Sequence, residues 1–297
     1  MSTLRLRIPG RVLELEERRR PLLMGIVNAS PESFSDGSEV ADLAAQLRRA
    51  LELTEAGADL IDVGGESGVT GADPLPAEAE IERVVPLVER LAAEGLIVSV
   101  DTWKAPVAQA SLQAGAAMIN DVSGLRDPLI ADACAAVGAA LVIMHTRAEP
   151  KKKDFPGYED VVQDVLAFLI ERIALAAEHG LDEDHIVVDP GPDFAKTPAE
   201  TVEVLQKLGA LRELGRPVLL AASRKDFIGA ITGRPPRERL AGTLAAVGEG
   251  VDHGATILRV HDVAETRDFL DVRDALRGVV KVSEELRLEE GLRREAK

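Results

Sequence analysis

The sequence of 297 residues is 46% hydrophobic and 29% charged, and its formal net charge is −16. This composition predicts a large folded core and excludes a disordered chain, while the negative charge argues against nucleic acid or an anionic membrane surface as a partner. Cys134 is the only cysteine, which excludes an intrachain disulfide and a cysteine cage for a metal. We see no signal peptide and no segment apolar enough to span a bilayer, so we expect a cytoplasmic protein.

Short apolar runs alternate with longer amphipathic segments along the chain. The runs are rich in Val, Ile and Leu, which predicts buried parallel strands that are apolar on both faces. These strands are predicted at 22–28, 59–65, 97–102, 117–121, 140–145, 186–190, 218–223 and 256–260. Helical patterns lie between and after them, at 41–56, 77–94, 104–114, 127–137, 158–179, 199–214, 236–250 and 263–277.

Eight strand–helix units in succession predict an α/β fold, a single (β/α)8 TIM barrel over residues 21–278 with a parallel barrel and outer helices. A doubly wound open sheet is the alternative, but the first strand is not followed by a clear G-x-G-x-x-G motif. Residues 1–20 are predicted as an N-terminal extension, compatible with a hairpin that closes the barrel bottom. Residues 279–297 are predicted as a charged C-terminal tail.

Polar residues end the predicted strands, and the carboxyl ends of barrel strands form the functional face of this fold. Charged groups are costly to desolvate there unless they are paired or bound to a ligand, so a ring of them predicts a polar ligand site. The ring consists of Asn28, Asp62, Glu66, Asp101, Asn120, Asp121, His145, Asp189, Ser223, Arg224, Lys225, Arg259, His261 and Asp262.

One group in this ring, Asp101, Asn120, Asp189 and Lys225, suits a flat heterocycle with an amino-pyrimidine edge. Carboxylates accept hydrogen bonds from ring and amino N–H groups, the amide both accepts and donates, and lysine donates. The alternative is that the two acids merely pair with Lys225 or with helix N-termini.

A second group, Asn28, Arg259 and His261, suits a phosphate or pyrophosphate. Arginine binds phosphate oxygens in a bidentate fork, and histidine adds a donor. Asn28 is a candidate ligand for a Mg²⁺ that is held mostly by phosphate oxygens. The alternative is an arginine–Asp262 salt bridge with His261 as a helix cap.

Two long polar segments, 30–40 and 66–76, follow the first two strands at the functional face. We expect loops that order over a substrate; ordinary surface connections are the alternative. The first segment carries the candidate substrate-binding residues Phe34 and Asp36. The lysines at 151–153 are interpreted as a solvated loop.

Seven motifs resemble the dihydropteroate synthase family, and each falls at a predicted strand end, in the family's order. They are GIVNASPESFSDG (25–37), GADLIDVGGES (57–67), SVDTWK (99–104), INDVSGL (119–125), DPGPDFAKT (189–197), SRKDFIG (223–229) and RVHDV (259–263). The resemblance covers roughly residues 20 to 278, and the motifs are specific when taken together.

The resemblance implies a homodimeric barrel that condenses 6-hydroxymethyl-7,8-dihydropterin pyrophosphate with 4-aminobenzoate, giving 7,8-dihydropteroate and pyrophosphate by an SN1-like route. It implies that Asp101, Asp189 and Lys225 are catalytic. It further implies a pterin pocket completed by Asn120, Met144 and Phe194, an aminobenzoate contact at Ser223, and a pyrophosphate site at Arg259 and His261 with Mg²⁺ at Asn28.

The sequence departs from the family pattern at several positions. Gly68, Val69 and Thr70 stand where the family has Thr-Arg-Pro, and the absent arginine is the one expected to close over the pyrophosphate. Ala221 and Asp193 replace glycines, Glu32 replaces an aspartate, and Asp226 adds an acid beside Lys225. These changes resemble a second, synthase-like paralogue of some actinobacteria.

Two alternative functions therefore stay open. The resemblance predicts a working synthase; the alternatives are a pterin-binding paralogue without synthase activity or with another acceptor, and a pterin-dependent methyltransferase on the same barrel. The methyltransferases lack the first-loop signature and the lysine of the SRK motif, and both are present here.

Overall fold

The computed structural model describes residues 3–16, 20–29, 39–66 and 73–293. Over these ranges the chain forms a two-stranded hairpin and an eight-stranded parallel sheet surrounded by helices. The strands are β1 (Thr3–Ile8), β2 (Arg11–Glu16), β3 (Leu22–Asn28), β4 (Leu60–Gly64), β5 (Val98–Asp101), β6 (Met118–Asp121), β7 (Ala140–Met144), β8 (Ile186–Asp189), β9 (Leu219–Leu220) and β10 (Ile257–Val260). The helices are α1 (Glu39–Glu55), α2 (Ala77–Ala93), α3 (Ala105–Gln113), α4 (Leu129–Val137), α5 (Val161–Glu178), α6 (Pro198–Gln206), α7 (Asp226–Thr232), α8 (Leu240–Asp252) and α9 (Val263–Leu276).

The parallel strands close into a barrel. Strands β3 to β8 pair in chain order, and β3 also pairs with β10, which pairs with β9. A parallel bridge between Val188 and Val218 joins β8 to the residue before β9, and the Val188 amide donates to the Pro217 carbonyl at 2.9 Å. The predicted (β/α)8 barrel is confirmed, and the doubly wound alternative is wrong because the two edges of the sheet meet.

The N-terminal hairpin covers one end of the barrel. Leu6, Ile8 and Leu15 of β1 and β2 are buried in one cluster with apolar side chains from the barrel interior. The interior partners include Met24, Leu60, Met118, Ala140 and Ile257, which stand at or near the starts of their strands. The hairpin therefore closes the N-terminal end of the barrel, and the opposite end is left for a ligand.

The seventh strand–helix unit differs from the prediction. Of the predicted strand 218–223, Leu219–Leu220 form β9 and Val218 contributes the bridge to Val188, and the chain then turns at Arg224, where φ is +58°. Helix α7 follows directly and was not predicted, since its seven residues are too few to show a helical period. The predicted helix 199–214 is also split, into α6 and a 3-10 segment over Leu208–Leu214.

Some predictions fall on residues that the structure does not describe. Phe34, Asp36 and the Gly68-Val69-Thr70 segment lie outside the described ranges. In the described part of the chain, no helix has the length and apolarity that crossing a membrane requires.

Candidate active site

The carboxyl ends of the barrel strands bring the predicted polar residues to one mouth. Asp101 ends β5, Asn120 lies in β6 one residue from its end, and Asp189 ends β8. Lys225 immediately precedes α7. Parallel strands in register place these ends side by side: Asp101 is paired with Asn120, and Met144 of β7 with Asp189.

Arg259 ties two acids and an amide together at this mouth. Its guanidinium donates to Asp62 Oδ2 at 2.6 Å and to Asp101 Oδ2 at 2.8 Å, and Asn120 Nδ2 donates to Asp62 Oδ2 at 3.2 Å. The Asp62 side chain is fully buried, and its Oδ1 has no hydrogen-bond partner among the described residues. A buried acceptor without a donor is costly, so this oxygen is suited to a donor that a ligand brings.

This arrangement differs from the sequence expectation. Arg259 was grouped with the anion site, and its predicted alternative partner was Asp262. In the structure Arg259 contacts the acids of the heterocycle group, while Arg224 pairs with Asp262. Asp62 belongs to the site as well, although the sequence only marked it as the end of a strand.

Asp189, Lys225 and Phe194 form the opposite wall. Asp189 Oδ1 accepts from the Gly191 amide at 2.7 Å, and the carboxylate is 2% exposed. Lys225 Nζ lies 4.1 Å from the centroid of the Phe194 ring. Burial lowers the pKa of Lys225 below its usual value, and the nearby carboxylates of Asp193 and Asp189 oppose this effect. Met144 is buried in β7, beside the loop that carries Phe194.

Burial also shifts the pKa values of the two candidate catalytic acids. It raises the pKa of Asp101 to about 7, against the opposing charge of Arg259, and that of Asp189 to about 6, against the hydrogen bond from Gly191. An ionised carboxylate accepts from N–H groups with both oxygens, whereas a protonated carboxyl turns one oxygen into an O–H donor, so a heterocycle edge that presents two N–H groups favours the ionised form. A ligand that requires both carboxylates therefore binds in competition with protons.

We expect the affinity for a pterin to fall as the pH is lowered through this window. Once a required carboxyl is protonated in the free protein, the dissociation constant should rise about tenfold for each pH unit below its pKa. Calorimetry between pH 5.5 and 8, in buffers of different ionisation enthalpy, should also show proton release near pH 6. A dissociation constant that stays constant over this range, with the protein still folded by circular dichroism, would contradict the assignment.

A cavity beside this group presents the residues expected for an anion. It is lined by Asn28 and His261, as predicted, and by Gln46, Arg49 and Arg224, which were not assigned to the anion site. Arg49 had no sequence signal, because an arginine on the amphipathic helix α1 reads as part of a solvated face. The cavity thus holds two guanidinium groups beside the predicted amide and imidazole.

Ser223 is connected to this cavity through His261, which lines it. The Ser223 hydroxyl oxygen accepts from the His261 amide at 3.2 Å and lies 3.0 Å from His261 Nδ1. Burial lowers the pKa of His261 to about 4, and Arg224 contributes to this shift. The ring is therefore neutral at pH 7. If the hydroxyl donates to Nδ1, Nε2–H is left as a donor towards the cavity. The expected contact of Ser223 with an aminobenzoate stays a prediction.

The protein supplies few ligands for a metal at Asn28. Asn28 Oδ1 lies near Gly64, since a Cβ built on that glycine would be 3.9 Å from it. In the ranges described above, no cluster of three or more His, Cys, Asp or Glu residues is suited to hold a metal. One neutral oxygen fits a Mg²⁺ that keeps its waters and is carried by phosphate oxygens. It does not fit a metal held by the protein alone.

Two lysines that the sequence analysis did not assign to the site anchor the loops around the mouth. Lys104 Nζ contacts Glu66 Oε2 at 2.6 Å and Glu80 Oε2 at 2.5 Å, and Lys151 Nζ contacts Glu66 Oε1 at 3.0 Å. The interpretation of 151–153 as solvated is wrong for Lys151, whose side chain is 7% exposed, because it pairs with Glu66. Lys152 and Lys153 are exposed.

The residues that depart from the family pattern have identifiable contacts. Asp193, at a φ of +64°, accepts from the Phe227 amide at 3.2 Å and so joins its loop to the start of α7. Asp226 is exposed and pairs with Arg239. Ala221 is buried in the interior cluster of the barrel.

A barrel with acids, an amide and a lysine at its C-terminal mouth defines a class of heterocycle-binding enzymes, and sequence comparison agrees: residues 24–261 match the family described as pterin binding enzyme. The chain is 42% identical over 264 residues to the dihydropteroate synthase of Bacillus subtilis, covering 88% of this chain and 90% of that protein. The chain therefore belongs to the dihydropteroate synthase family, as the motifs indicated.

Solved structures extend this relationship to the fold. The dihydropteroate synthase of Xanthomonas albilineans with 4-aminobenzoic acid superimposes with a TM-score of 0.86 at 46% identity, covering 94% of this chain and all of that one. The same enzyme in complex with 7,8-dihydropteroate gives a TM-score of 0.81 at 45% identity, covering 91% and 98%. The similarity to a second actinobacterial paralogue stays a prediction.

Proposed function

We propose that this protein is a dihydropteroate synthase, a transferase that condenses 6-hydroxymethyl-7,8-dihydropterin pyrophosphate with 4-aminobenzoate. The observation that carries the proposal is the convergence of Asp62, Asp101, Asn120, Asp189 and Lys225 at the mouth of the barrel. Its acceptors and donors match the amino-pyrimidine edge of a pterin. The relatives named above are synthases over nearly their whole length, which favours this reaction over pterin-dependent methyl transfer.

The pterin-binding group and the anion cavity at the mouth have different roles in the reaction. Asp101 and Asp189 bind the pterin and, as carboxylates, stabilise positive charge that develops on it when the C–O bond to the pyrophosphate breaks. The cavity lined by Asn28, Arg49, Arg224 and His261 would receive the departing pyrophosphate. Their guanidinium, amide and imidazole groups favour the developing negative charge.

Arg259 links the two parts. Its single positive charge pairs with the carboxylates of both Asp62 and Asp101 in the absence of substrate, and it also acts on His261. The amine of 4-aminobenzoate then attacks the pterin carbon and loses a proton. Mg²⁺, carried by the pyrophosphate and in contact with Asn28, would add positive charge at the leaving group.

We further propose that the protein works as a cytoplasmic homodimer.

The proposal is tested by offering the enzyme alternative acceptors. Purified protein is incubated with the pterin pyrophosphate, Mg²⁺ and either 4-aminobenzoate or another arylamine, and products are identified by mass spectrometry. A separate reaction supplies an N-methylated tetrahydropterin as methyl donor together with a methyl acceptor. We expect product with 4-aminobenzoate in preference to the other amines. Preferred use of another amine would make the chain a paralogue with another acceptor, and pterin binding without any product would make it a binding protein.

We expect Val69→Arg to raise turnover at least tenfold if the loop after β4 contributes to the reaction as in the family pattern. An added guanidinium can form a charge-assisted contact with the pyrophosphate, and such contacts contribute about 2–4 kcal/mol to transition-state stabilisation. Steady-state kinetics with both substrates measures the effect. Val69→Met, of similar length without charge, is the control, and equal rates for the two variants would show that position 69 does not approach the pyrophosphate.

A further inference from the structure

Lys196 has one of the largest fully buried side chains in the described part of the protein, with 1% exposed. Its ammonium contacts His145 Nδ1 at 2.7 Å, the Gly191 carbonyl at 3.0 Å and the Phe194 carbonyl at 3.1 Å. The His145 carbonyl is a fourth and longer contact, at 3.4 Å, so the three protons of the ammonium have acceptors on every side. Burial nevertheless lowers the pKa of Lys196 to about 7. A buried lysine is costly unless it is fully paired, and here the pairing holds two carbonyls of the β8–α6 loop.

His145 accepts a hydrogen bond from Lys196. Its Nε2 lies 2.8 Å from Asp164 Oδ1, and Arg147 donates twice to the same carboxylate, at 3.0 and 2.9 Å. Burial lowers the pKa of His145 to about 3, so the ring is neutral near pH 7. With the carboxylate accepting from Nε2–H, the lone pair of Nδ1 faces Lys196.

The loop between β8 and α6 is strained. Gly191, Asp193 and Ala195 have φ values of +66°, +64° and +53°, a region that is unfavourable for the two residues with a Cβ. A Cβ built on Gly191 would lie 2.1 Å from the His145 carbonyl oxygen, so the loop packs directly against the end of β7. Such a conformation persists only where surrounding contacts over-determine it.

The same loop carries two parts of the pterin pocket. The Gly191 amide donates to Asp189, and the Phe194 ring packs against Lys225 Nζ. Tyr158 adds a second anchor, since its hydroxyl donates to the Ala195 carbonyl at 2.9 Å. Lys196 belongs to the same loop, and among the described residues its Nζ bonds to the carbonyls of Gly191 and Phe194 and to His145.

We propose that Lys196 is a positioning residue for the pterin pocket: it holds the carbonyls of Gly191 and Phe194 and thereby fixes Phe194 against Lys225 and the Gly191 amide against Asp189. The inference rests on the proposed function, because the ligand concerned is a pterin. It extends that function to a buried lysine that acts through the backbone.

The test is Lys196→Met, with Lys207→Met as a matched control on the exposed face at the end of α6, where Lys207 pairs with Glu203. Calorimetry measures the affinities for 6-hydroxymethylpterin and for inorganic pyrophosphate. We expect the pterin dissociation constant of Lys196→Met to rise at least tenfold and that for pyrophosphate to stay within twofold, because the anion cavity is lined by other residues. The control should match the wild type.

Tyr158→Phe keeps the inference testable if Lys196→Met does not fold. It removes the second anchor of the loop and should raise the pterin dissociation constant about threefold without affecting pyrophosphate. Unchanged pterin affinity in a folded Lys196→Met, or in Tyr158→Phe when the first variant is unfolded, would overturn the inference. Equal losses for pterin and pyrophosphate would mean a general structural role and would also overturn it. A wild type that binds no pterin would overturn the proposed function, and this inference with it.

Discussion

Asp101→Asn is expected to weaken pterin binding at least a hundredfold at pH 8 while the protein stays folded. At this pH the Asp101 carboxylate is ionised, and it offers acceptors to the N–H groups of a pterin. An amide presents N–H groups in place of one oxygen and leaves Arg259 with one fewer charged partner. A lost charge-assisted bond together with an unsatisfied buried group costs about 3 kcal/mol, which is roughly a hundredfold.

Calorimetric titration with 6-hydroxymethylpterin measures this loss. Asp268→Asn is the matched control, since it makes the same change on an exposed position of α9. An Asp101→Asn protein with the affinity of the control would remove Asp101 from the site. Loss of the folded state in Asp101→Asn would instead give Asp101 a role in stability, and Asp189→Asn would then carry the binding test.

Arg259→Met is expected to lower the free energy of unfolding by about 3 kcal/mol at pH 8 and by much less at pH 5.5. Removing the guanidinium leaves the carboxylates of Asp62 and Asp101 uncompensated in a buried site, which is strongly destabilising. At lower pH the Asp101 carboxyl takes up a proton in the folded variant, since burial already raises its pKa and the loss of the positive charge of Arg259 raises it further. The difference from the wild type therefore shrinks as the pH falls.

Urea denaturation at both pH values measures this effect. A double-mutant cycle with Asp62→Asn separates the ion pair from other consequences of the change. We expect the double variant to be more stable than the sum of the single losses implies, because the unpaired acid has been removed. Additive losses, or an identical loss at both pH values, would show that the ion pair does not contribute as described.

Most of the barrel could be predicted from the sequence, because the signal for each strand lies within that strand's own residues. Buried parallel strands are continuous apolar runs, so each of the eight was found, and β3 was found with its observed bounds. The errors fall in the sixth unit, whose predicted helix 199–214 is split, and in the seventh, where the strand ends at Leu220, the chain turns at Arg224 and a short helix follows. The conformation there depends on contacts such as that between Asp193 and the Phe227 amide, which lie 34 residues apart.

The sequence predicted which residues reach the candidate site, but not which of them pair with one another. Strand ends identify Asp101, Asn120 and Asp189, because every barrel strand delivers its last residues to the same mouth. They do not say that Arg259 pairs with Asp62, 197 residues away, in preference to its neighbour Asp262. Lysines are a further case: Lys151 and Lys196 are buried by partners distant in sequence, and nothing local distinguishes them from solvated lysines.

The central claim is that this barrel mouth makes dihydropteroate, and one assay tests it most directly. Purified protein is mixed with 6-hydroxymethyl-7,8-dihydropterin pyrophosphate, 4-aminobenzoate and Mg²⁺, and pteroate and pyrophosphate are quantified together over time. We predict equal amounts of the two products, formed at a rate on the order of 1 s⁻¹, within the ordinary range for enzymes. Pyrophosphate release without pteroate, or no release while the pterin pyrophosphate binds, would contradict the claim and assign the mouth to another acceptor or to binding alone.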